Sequence, residues 1–208
     1  MKQEQRAQMT RDRIMKAAME VFGTRGYDGG TVGEICRQGI NKGLVYHYYE
    51  SKDALYLECL RVSCGKLQTA LQDMEEAGSG TASQIVRRYM DSRMVFSREN
   101  PLENHILFEA LLTPPAHLRG DIAGIMQPLD SLNTGILRSA LSKLTLRQGV
   151  DIEQAMQYFS MLQTMFNGYY GSPSMQTRSL EERIREHEKA MPAVIDFMLY
   201  GIAQKEEG

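Results

Sequence analysis

The sequence carries almost no net charge, few cysteines and no long apolar run free of polar residues. Its 208 residues contain 24 lysines and arginines against 26 acids, a formal net charge of −2. So small a charge excludes a protein that coats nucleic acid by bulk electrostatics, but it permits a local DNA-binding face. Residues 1–61 carry a net charge of +2 and residues 62–208 one of −4, so the amino-terminal part is mildly basic.

The scarcity of cysteine and of apolar runs bounds the cellular location. Cys36, Cys59 and Cys64 are an odd set with no paired framework, which indicates reduced thiols in a cytoplasmic protein. The polar start of the chain predicts no signal peptide. The longest stretch without a charge, residues 154–177, contains four glutamines and a proline. We therefore expect no membrane-spanning helix and no membrane partner.

Helical periodicity dominates the sequence, and we predict an all-α fold of about nine helices. Residues 10–24 place their apolar side chains on one helix face. Pro128 is predicted to begin or kink one helix, and Pro192 to kink or break another. Capping residues mark most of the helix starts: Thr31 with Glu34, Asn41, Ser51, Thr81 with Gln84, Asp151, and Ser179 with Glu182.

Residues 10–50 have the plan of a helix-turn-helix, in which two short helices flank a tight turn at Gly39-Ile40. The segment 41–52 combines two lysines, a histidine and three tyrosines, which are groups that position proteins on phosphates. Gly43 within a seven-residue helix costs about 1 kcal/mol relative to alanine. That cost indicates a backbone that closely approaches another surface.

Residues 10–60 resemble the DNA-binding domain of the tetracycline-repressor (TetR) family of bacterial transcription regulators. The resemblance rests on Thr10-Arg11-Asp12-Arg13-Ile14, Arg25-Gly26-Tyr27, Thr31-Val32, and Lys42-Gly43 followed by Tyr46-His47-Tyr48-Tyr49 and Ser51-Lys52. It implies a three-helix DNA-binding domain over residues 1–52 and a larger helical domain for effector binding and dimerisation over residues 53–208. It further implies a homodimer that binds a palindromic double-stranded DNA operator.

The resemblance also implies roles for individual residues. Thr31 would contact a phosphate; Asn41, Lys42, Gly43 and Leu44 would face the bases or the groove floor; Tyr46, His47 and Lys52 would hold the DNA backbone. Two features depart from the family pattern. The turn at Gln38-Gly39 is one residue short, which either ends the second helix early or tightens the turn. Leu44 replaces a small or hydroxyl residue, and we hypothesise that it reads a thymine methyl group.

The carboxy-terminal part is rich in methionine, with ten of the fourteen in residues 62–208. Methionines fill irregular cores, and they also line deformable pockets, so a site for a hydrophobic small-molecule effector is one of two interpretations. Its candidate residues are Tyr89, Arg93, Phe96, His105, Phe108, Glu109 and Met126.

The helices over residues 151–170 and towards residue 202 carry apolar side chains on more than one stripe. We predict that they pack against their symmetry mates in a four-helix bundle, which is also the usual dimer interface of the resembled family. The candidate interface residues are Phe159, Leu162, Phe166, Val194, Phe197 and Met198.

No residue pattern predicts catalysis, a cofactor or a metal site. His105 and Glu109 share a helix face, but no further ligands stand at suitable spacing. His117 and His187 are predicted to be solvated surface residues. The favoured function is a ligand-responsive repressor that an effector releases from its operator. Two alternatives stay open: a helical protein-interaction module that does not bind DNA, and a small-molecule enzyme.

Overall fold

The computed structural model describes residues 3–76 and 80–202, and within these ranges the chain is helical, as the sequence predicts. Nine α-helices and one short 3-10 helix follow one another over these residues. Their bounds are α1 Gln3–Gly29, α2 Val32–Cys36, α3 Lys42–Tyr48, α4 Lys52–Glu76, α5 Ala82–Glu99, α6 Pro101–Leu112, the 3-10 helix Ala116–Leu118, α7 Arg119–Leu141, α8 Ile152–Gly171 and α9 Leu180–Ile202. None of these helices is both long and apolar enough to cross a membrane.

Side-chain capping determines where most helices begin, at the residues that the sequence predicts. Before α2, the Thr31 hydroxyl accepts a hydrogen bond from the Glu34 amide, and the Glu34 carboxylate accepts one from the Thr31 amide. Each such cap satisfies amide groups that a helix end leaves without partners. Other starts use the same chemistry: Asn41 before α3, Ser51 before α4, Thr81 before α5, Asp151 before α8 and Ser179 before α9.

The helices of the structure differ from the sequence expectations at three points. Helix α1 extends from Gln3 to Gly29, beyond both ends of the predicted 10–24, although Gly26 inside it has a non-helical backbone. Pro128 lies inside α7 and does not begin it, and α9 continues through Pro192. Although an interior proline costs about 3 kcal/mol, tertiary packing overrides the cost here, because Ile195, Met198 and Leu199 are buried beyond the second proline.

The described residues form two compact units. Unit 1 contains the residues up to Lys66 together with Glu99–Met126, and unit 2 contains Leu67–Arg98 and the residues from Gln127 onward. Unit 1 therefore joins α1, α2 and α3 with α6 and the 3-10 helix. The functional boundary predicted between residues 52 and 53 is a different division of the chain, and it stays a prediction.

Unit 1 is built around the contact of α1 with α6. A side chain on Gly23 would come within 2.7 Å of the Leu102 Cβ, so the two helices approach closely at this point. The rings of Phe22 and Tyr56 meet edge to face at 5.4 Å in the core. Cys59 is buried in this unit, as expected of a small apolar side chain.

Unit 2 has a core of its own, formed where α5, α7, α8 and α9 meet. Partly buried side chains, among them Tyr89 and Phe159, pack against it. Its buried members are Met90, Leu137, Leu141, Ala155, Met156, Ile195 and Leu199. Methionine thus fills the core at two of these seven positions, which is one of the two roles that its abundance allows.

Candidate nucleic-acid interface

Helix α3 is anchored by one side chain and exposes most of the others. Val45 is 1% exposed and fixes the helix against unit 1. Leu44 and Tyr46 are 38% and 45% exposed, and Lys42, Gly43 and His47 are exposed beside them. The predicted contact residues of this helix therefore share an accessible face that combines a cation, two rings and an apolar side chain.

The starts of α2 and α3 are organised by two further predicted contacts. The Asn41 Oδ1 accepts a hydrogen bond of 2.8 Å from the Gly43 amide, and the Thr31 Oγ1 accepts one of 3.2 Å from the Glu34 amide. Both side chains are exposed but serve as caps. A Cβ on Gly43 would lie 3.2 Å from the Asn41 Oδ1, so the cap favours glycine in addition to any close approach of DNA.

Cations and aromatic rings interleave on this side of unit 1. The Lys42 ammonium lies 5.9 Å from the centroid of the Tyr46 ring, and the Arg11 guanidinium lies 5.4 Å from that of Tyr48. The His47 ring meets the Tyr48 ring edge to face at 5.0 Å. Sequence reasoning did not include Arg11 among the contacts, although Arg11 belongs to a motif that carries the family resemblance. Its placement beside α3 is visible only in three dimensions.

The turn between α2 and α3 accommodates the short spacing noted in the sequence. Helix α2 ends at Cys36, and four residues lead through Gly39, whose φ of 78° lies in the left-handed region, to buried Ile40. Arg13 of α1 donates a long hydrogen bond of 3.5 Å to the Gly39 carbonyl. The turn therefore uses a backbone conformation that glycine adopts without strain.

Lys52 is half-buried, and its ammonium lies 4.0 Å from the centroid of the Tyr27 ring. The Tyr27 hydroxyl donates a hydrogen bond of 2.5 Å to the Asp53 Oδ1 and lies 3.2 Å from the His117 Nε2. That imidazole nitrogen is also 3.3 Å from the Asp53 Oδ2. Burial, and then the hydrogen bond to Asp53, raise the pKa of Tyr27 to about 12, so its hydroxyl keeps its proton at neutral pH.

Glu109 joins the same neighbourhood from α6. Helix α1 is interrupted at Gly26, so the Tyr27 amide takes a partner outside the helix and donates to both Glu109 oxygens, at 2.8 and 3.0 Å. The Tyr56 hydroxyl donates to Glu109 at 3.1 Å. Burial raises the pKa of Glu109 in spite of these donors. The carboxylate of Glu109 thus accepts hydrogen bonds inside unit 1, and its predicted contact with an effector stays a prediction.

The other candidate effector residues fall into both units, and each group is described by itself. In unit 2, the Tyr89 hydroxyl donates to the Asn133 Oδ1 at 3.2 Å, Arg93 lies 6.0 Å from the Tyr89 ring, and Phe96 is buried. In unit 1, Phe108 is buried, whereas His105 and Met126 are half-buried. The effector site stays a prediction.

An apolar groove runs between α8 and α9 in unit 2. Four of the six predicted interface residues line it, and Phe197 among them is 73% exposed. Phe159 packs beside the core, and Met198 is only 3% exposed, so neither belongs to the groove. Sequence reasoning missed Met165 and two small residues of α9. The full lining is Leu162, Met165, Phe166, Ala190, Ala193, Val194 and Phe197.

The two histidines assigned to the surface behave differently. His187 is fully buried, so that prediction is wrong for it. Its Nε2 lies 2.9 Å from the Asn167 Oδ1, and its ring packs 4.5 Å from that of Phe166. Burial, and then the charge of Arg93, lower the pKa of His187 to about 3. His117 is exposed as predicted, but it is engaged with Tyr27 and Asp53.

Residues that could ligate a metal do not cluster in the part of the chain that the structure describes. No group of three histidine, cysteine or acidic side chains comes together there. What the described residues do bring together is a set of cationic, polar and aromatic side chains on α3 and at the start of α4, which can contact the surface of another molecule.

Comparison with known proteins finds similarity to DNA-binding transcription regulators. Residues 14–59 match the family model for bacterial regulatory proteins of the tetR family. The HTH-type transcriptional repressor NicS of Pseudomonas putida is 35% identical over 81 residues, which are 35% of this chain and 38% of NicS. The regulator UidR of Escherichia coli is 42% identical over 50 residues, 24% of this chain and 26% of UidR. The chain thus matches less than half of the length of either relative.

Solved structures resemble the fold over most of the chain. The regulator FadR of Bacillus subtilis, in complex with stearoyl-CoA, superimposes with a TM-score of 0.62 at 19% identity, covering 91% of this chain and 98% of FadR. A gamma-butyrolactone receptor described as ArpA-like gives a TM-score of 0.55 at 20% identity, covering 88% of this chain and 98% of the receptor. At these identities the likeness establishes the all-α fold with an amino-terminal helix-turn-helix and a carboxy-terminal helical domain.

Proposed function

We propose that this chain, whose residues 14–59 carry the DNA-binding domain of the tetR family, is a ligand-responsive transcriptional regulator that represses by occupying an operator. The observation that carries the proposal is the exposed face of α3, where Lys42, Tyr46 and His47 are accessible together with the apolar side chain of Leu44. Cations and tyrosine hydroxyls bind phosphates, and an apolar tip fits the floor of a major groove. The protein acts in the cytoplasm, where bacterial DNA lies, and it regulates rather than catalyses.

The operator is palindromic, and a homodimer reads it. One recognition helix per subunit enters the major groove, and two half-sites lie about one helical turn apart. The apolar groove between α8 and α9 supports dimerisation, because a face that exposes Phe197 and Met165 side by side is one that a second copy would cover. The affinity for the operator then depends on the two weakly basic DNA-binding domains of the dimer, which bind their half-sites at the same time.

A small hydrophobic molecule releases the repressor. The resembling FadR structure contains an acyl-CoA, and another neighbour is a butyrolactone receptor, so both fold neighbours take ligands with apolar parts. In unit 2 of this chain the half-buried Tyr89 and Arg93 are the candidate contacts. An effector that favours a dimer with the wrong helix spacing would weaken operator binding by a coupling of about 1–3 kcal/mol.

The test is selection of bound duplexes from a random DNA pool, followed by affinity measurements on the enriched duplex at several salt concentrations. We expect a palindromic consensus and an affinity that falls steeply with salt, because lysines displace counterions from phosphates. Lys52→Ala, which removes the lysine predicted to hold the DNA backbone, should flatten the slope of log K against log salt by about 1. Lys143→Ala, which removes an exposed lysine from unit 2, is the matched control. Binding without salt dependence or consensus would favour the interaction module instead.

Leu44→Ala adds a second arm to the same selection. If the Leu44 side chain touches a thymine methyl group, its removal relaxes the preference for thymine at one position of each half-site. The other positions keep their preferences, since the neighbouring contacts are unchanged. An unaltered consensus would show that Leu44 does not read that base.

A further inference from the structure

Tyr27 is held at its amide, its hydroxyl and its ring by groups from three other elements. Glu109 of α6 accepts from its amide, Asp53 of α4 and His117 of the 3-10 helix bind its hydroxyl, and Lys52 lies over its ring. Two of these partners belong to the chain segment 101–118, and a third is a predicted DNA contact. Tyr27 thus connects that segment with the DNA-binding face inside unit 1.

The hydrogen bonds at the Tyr27 hydroxyl form a closed triangle. The hydroxyl proton goes to the Asp53 Oδ1, and burial keeps that proton on the oxygen by raising the pKa of Tyr27. An imidazole N–H at the His117 Nε2 can then be shared between the tyrosine oxygen and the Asp53 Oδ2, at 3.2 and 3.3 Å. Each of the three side chains therefore limits the rotamers of the other two.

The ring of Tyr27 in turn limits where the Lys52 ammonium can lie. An ammonium 4.0 Å from the ring centroid is attracted by the electron-rich face of the ring. A free lysine side chain samples many rotamers, and it loses this conformational entropy when it binds a phosphate. A ring beneath the ammonium already restricts the rotamers of Lys52, so less entropy is lost on binding. The adjacent Asp53 attracts the same cation, so the orientation of its carboxylate also influences the Lys52 position.

The two ends of segment 101–118 are attached with unequal strength. At α6, Glu109 is half-buried and accepts three hydrogen bonds, and Leu102 packs directly on Gly23. At the 3-10 helix, the His117 side chain is 57% exposed and makes one polar contact with each of two partners. The His117 contact is therefore the one that a small displacement of the segment breaks first.

We propose that Tyr27 and His117 are positioning residues for the DNA contact of Lys52, through which the segment 101–118 sets the operator affinity. The proposal rests on the proposed function, because it presumes that Lys52 binds a DNA phosphate. When the His117 contact is intact, the Tyr27 hydroxyl and Asp53 are fixed and Lys52 is held ready. When it is lost, the ammonium disperses over other rotamers and the phosphate contact weakens.

The experiment measures affinity for the duplex enriched by the wild-type protein, as a function of salt, for Lys52→Ala, His117→Ala and the double variant. Lys52→Ala should lower the affinity about tenfold at about 0.1 M salt and flatten the salt slope by about 0.9. His117→Ala should lose about threefold and flatten the slope in the same direction. In the Lys52→Ala background, His117→Ala should have no further effect, because residues that act through one contact are not additive.

Three further variants separate positioning from a general loss of structure. Tyr27→Phe keeps the ring beneath Lys52 but removes the hydroxyl, and it should reproduce His117→Ala. His117→Gln retains an amide donor at a similar reach, and it should restore the wild-type slope. Arg119→Ala removes an exposed cation two residues away and should leave affinity and slope unchanged. Melting temperatures measured by circular dichroism confirm that each variant is folded.

Three results would overturn the proposal, the first two in the binding data and the third in the melting temperature. In the first, His117→Ala changes neither affinity nor slope; in the second, its effect persists in full when Lys52 is absent. Failure of the proposed function has a different signature, since the wild-type protein itself would then show no salt-dependent binding to any enriched duplex. An effect of His117→Ala on the melting temperature without a change of salt slope would also count against positioning.

Discussion

At the scale of single residues, the break in α1 at Gly26 determines most of the geometry around Tyr27. Gly26 has a φ of 67° and a ψ of −177°, a backbone region that side-chain-bearing residues scarcely enter. The break turns the next amide towards Glu109, which lies 82 residues further along the chain. A Cβ at Gly26 would also overlap the Glu109 Oε1, so backbone strain and steric conflict coincide.

Gly26→Ala should therefore destabilise unit 1 by about 2–4 kcal/mol, the sum of the backbone strain and the displaced carboxylate. Urea unfolding followed by circular dichroism measures the change. Gly124→Ala is the matched control, since Gly124 is helical and exposed, and a Cβ there would meet no atom within 4 Å. It should be neutral or stabilise by up to about 1 kcal/mol. Equal effects of the two substitutions would contradict the role given to Gly26.

Residue roles were predictable from sequence only where the partner is close along the chain. The capping residue Asn41 and its acceptor role follow from local chemistry, because the partner amide is two residues away. No pattern in the sequence near Glu109 or His117 predicts a contact with Tyr27, so the roles of these two residues in unit 1 could not be predicted. Assigning His187 to the surface failed for the same reason, since its partner Asn167 lies on another helix.

At the scale of helices, α8 and α9 combine an exposed apolar face with a buried polar contact. His187 of α9 is packed against Phe166 and Tyr170 of α8, at 4.5 and 5.1 Å between ring centroids. Arg183, one turn earlier, donates to the Tyr170 carbonyl at 3.2 Å. These contacts fix the pairing of the two helices, and Phe166 takes part both in them and in the lining of the groove.

The buried imidazole makes this pairing sensitive to acid. The pKa of His187 falls from 6.5 to about 3 on folding, so between these values the unfolded chain binds a proton that the folded chain does not. Stability must therefore decrease as the pH falls from about 6.5 towards 3, by at most about 1.4 kcal/mol per pH unit. The contribution is absent above about pH 7, where both states are neutral.

His187→Gln removes this titration while it keeps an amide near Asn167. Urea unfolding at pH 7, 6, 5 and 4 should show a shallower loss of stability in the variant than in the wild type. Gln157→Ala, which removes an exposed and uncharged side chain from α8, should leave the wild-type pH dependence unchanged. Parallel pH profiles for wild type and His187→Gln would show that the buried imidazole does not account for the acid sensitivity.

Helix boundaries were predictable where a capping side chain marks them and not where packing overrides propensity. Reciprocal caps fix the starts of α2, α8 and α9. Local rules predicted a kink or break at Pro192, and no break is found, because the buried residues that follow hold the helix in the core. The distinction is physical, since capping is a local interaction and core packing is not.

At the scale of the whole molecule, the exposed groove is the feature that a single protomer leaves unexplained. Its lining is apolar throughout, and large side chains at its rim, such as Phe197 and Met165, are 73% and 67% exposed. Apolar side chains on more than one stripe of both helices predicted an interface here, but only the structure distinguishes exposed Phe197 from its buried neighbour Met198. That distinction selects the substitution that tests dimerisation without disturbing the protomer.

Phe197→Arg should convert the protein into a folded monomer. Because Phe197 is exposed in the protomer, the arginine costs little there, whereas in a symmetric interface two unpaired guanidinium groups would be buried at several kcal/mol each. Light scattering should give the mass of one chain, and binding to the palindromic duplex should fall at least about a hundredfold, because two half-sites can no longer be read together. Asp196→Arg, at an exposed neighbour outside the groove, should remain dimeric. A dimer of Phe197→Arg with wild-type affinity would place the interface elsewhere, and the groove would then need a different occupant.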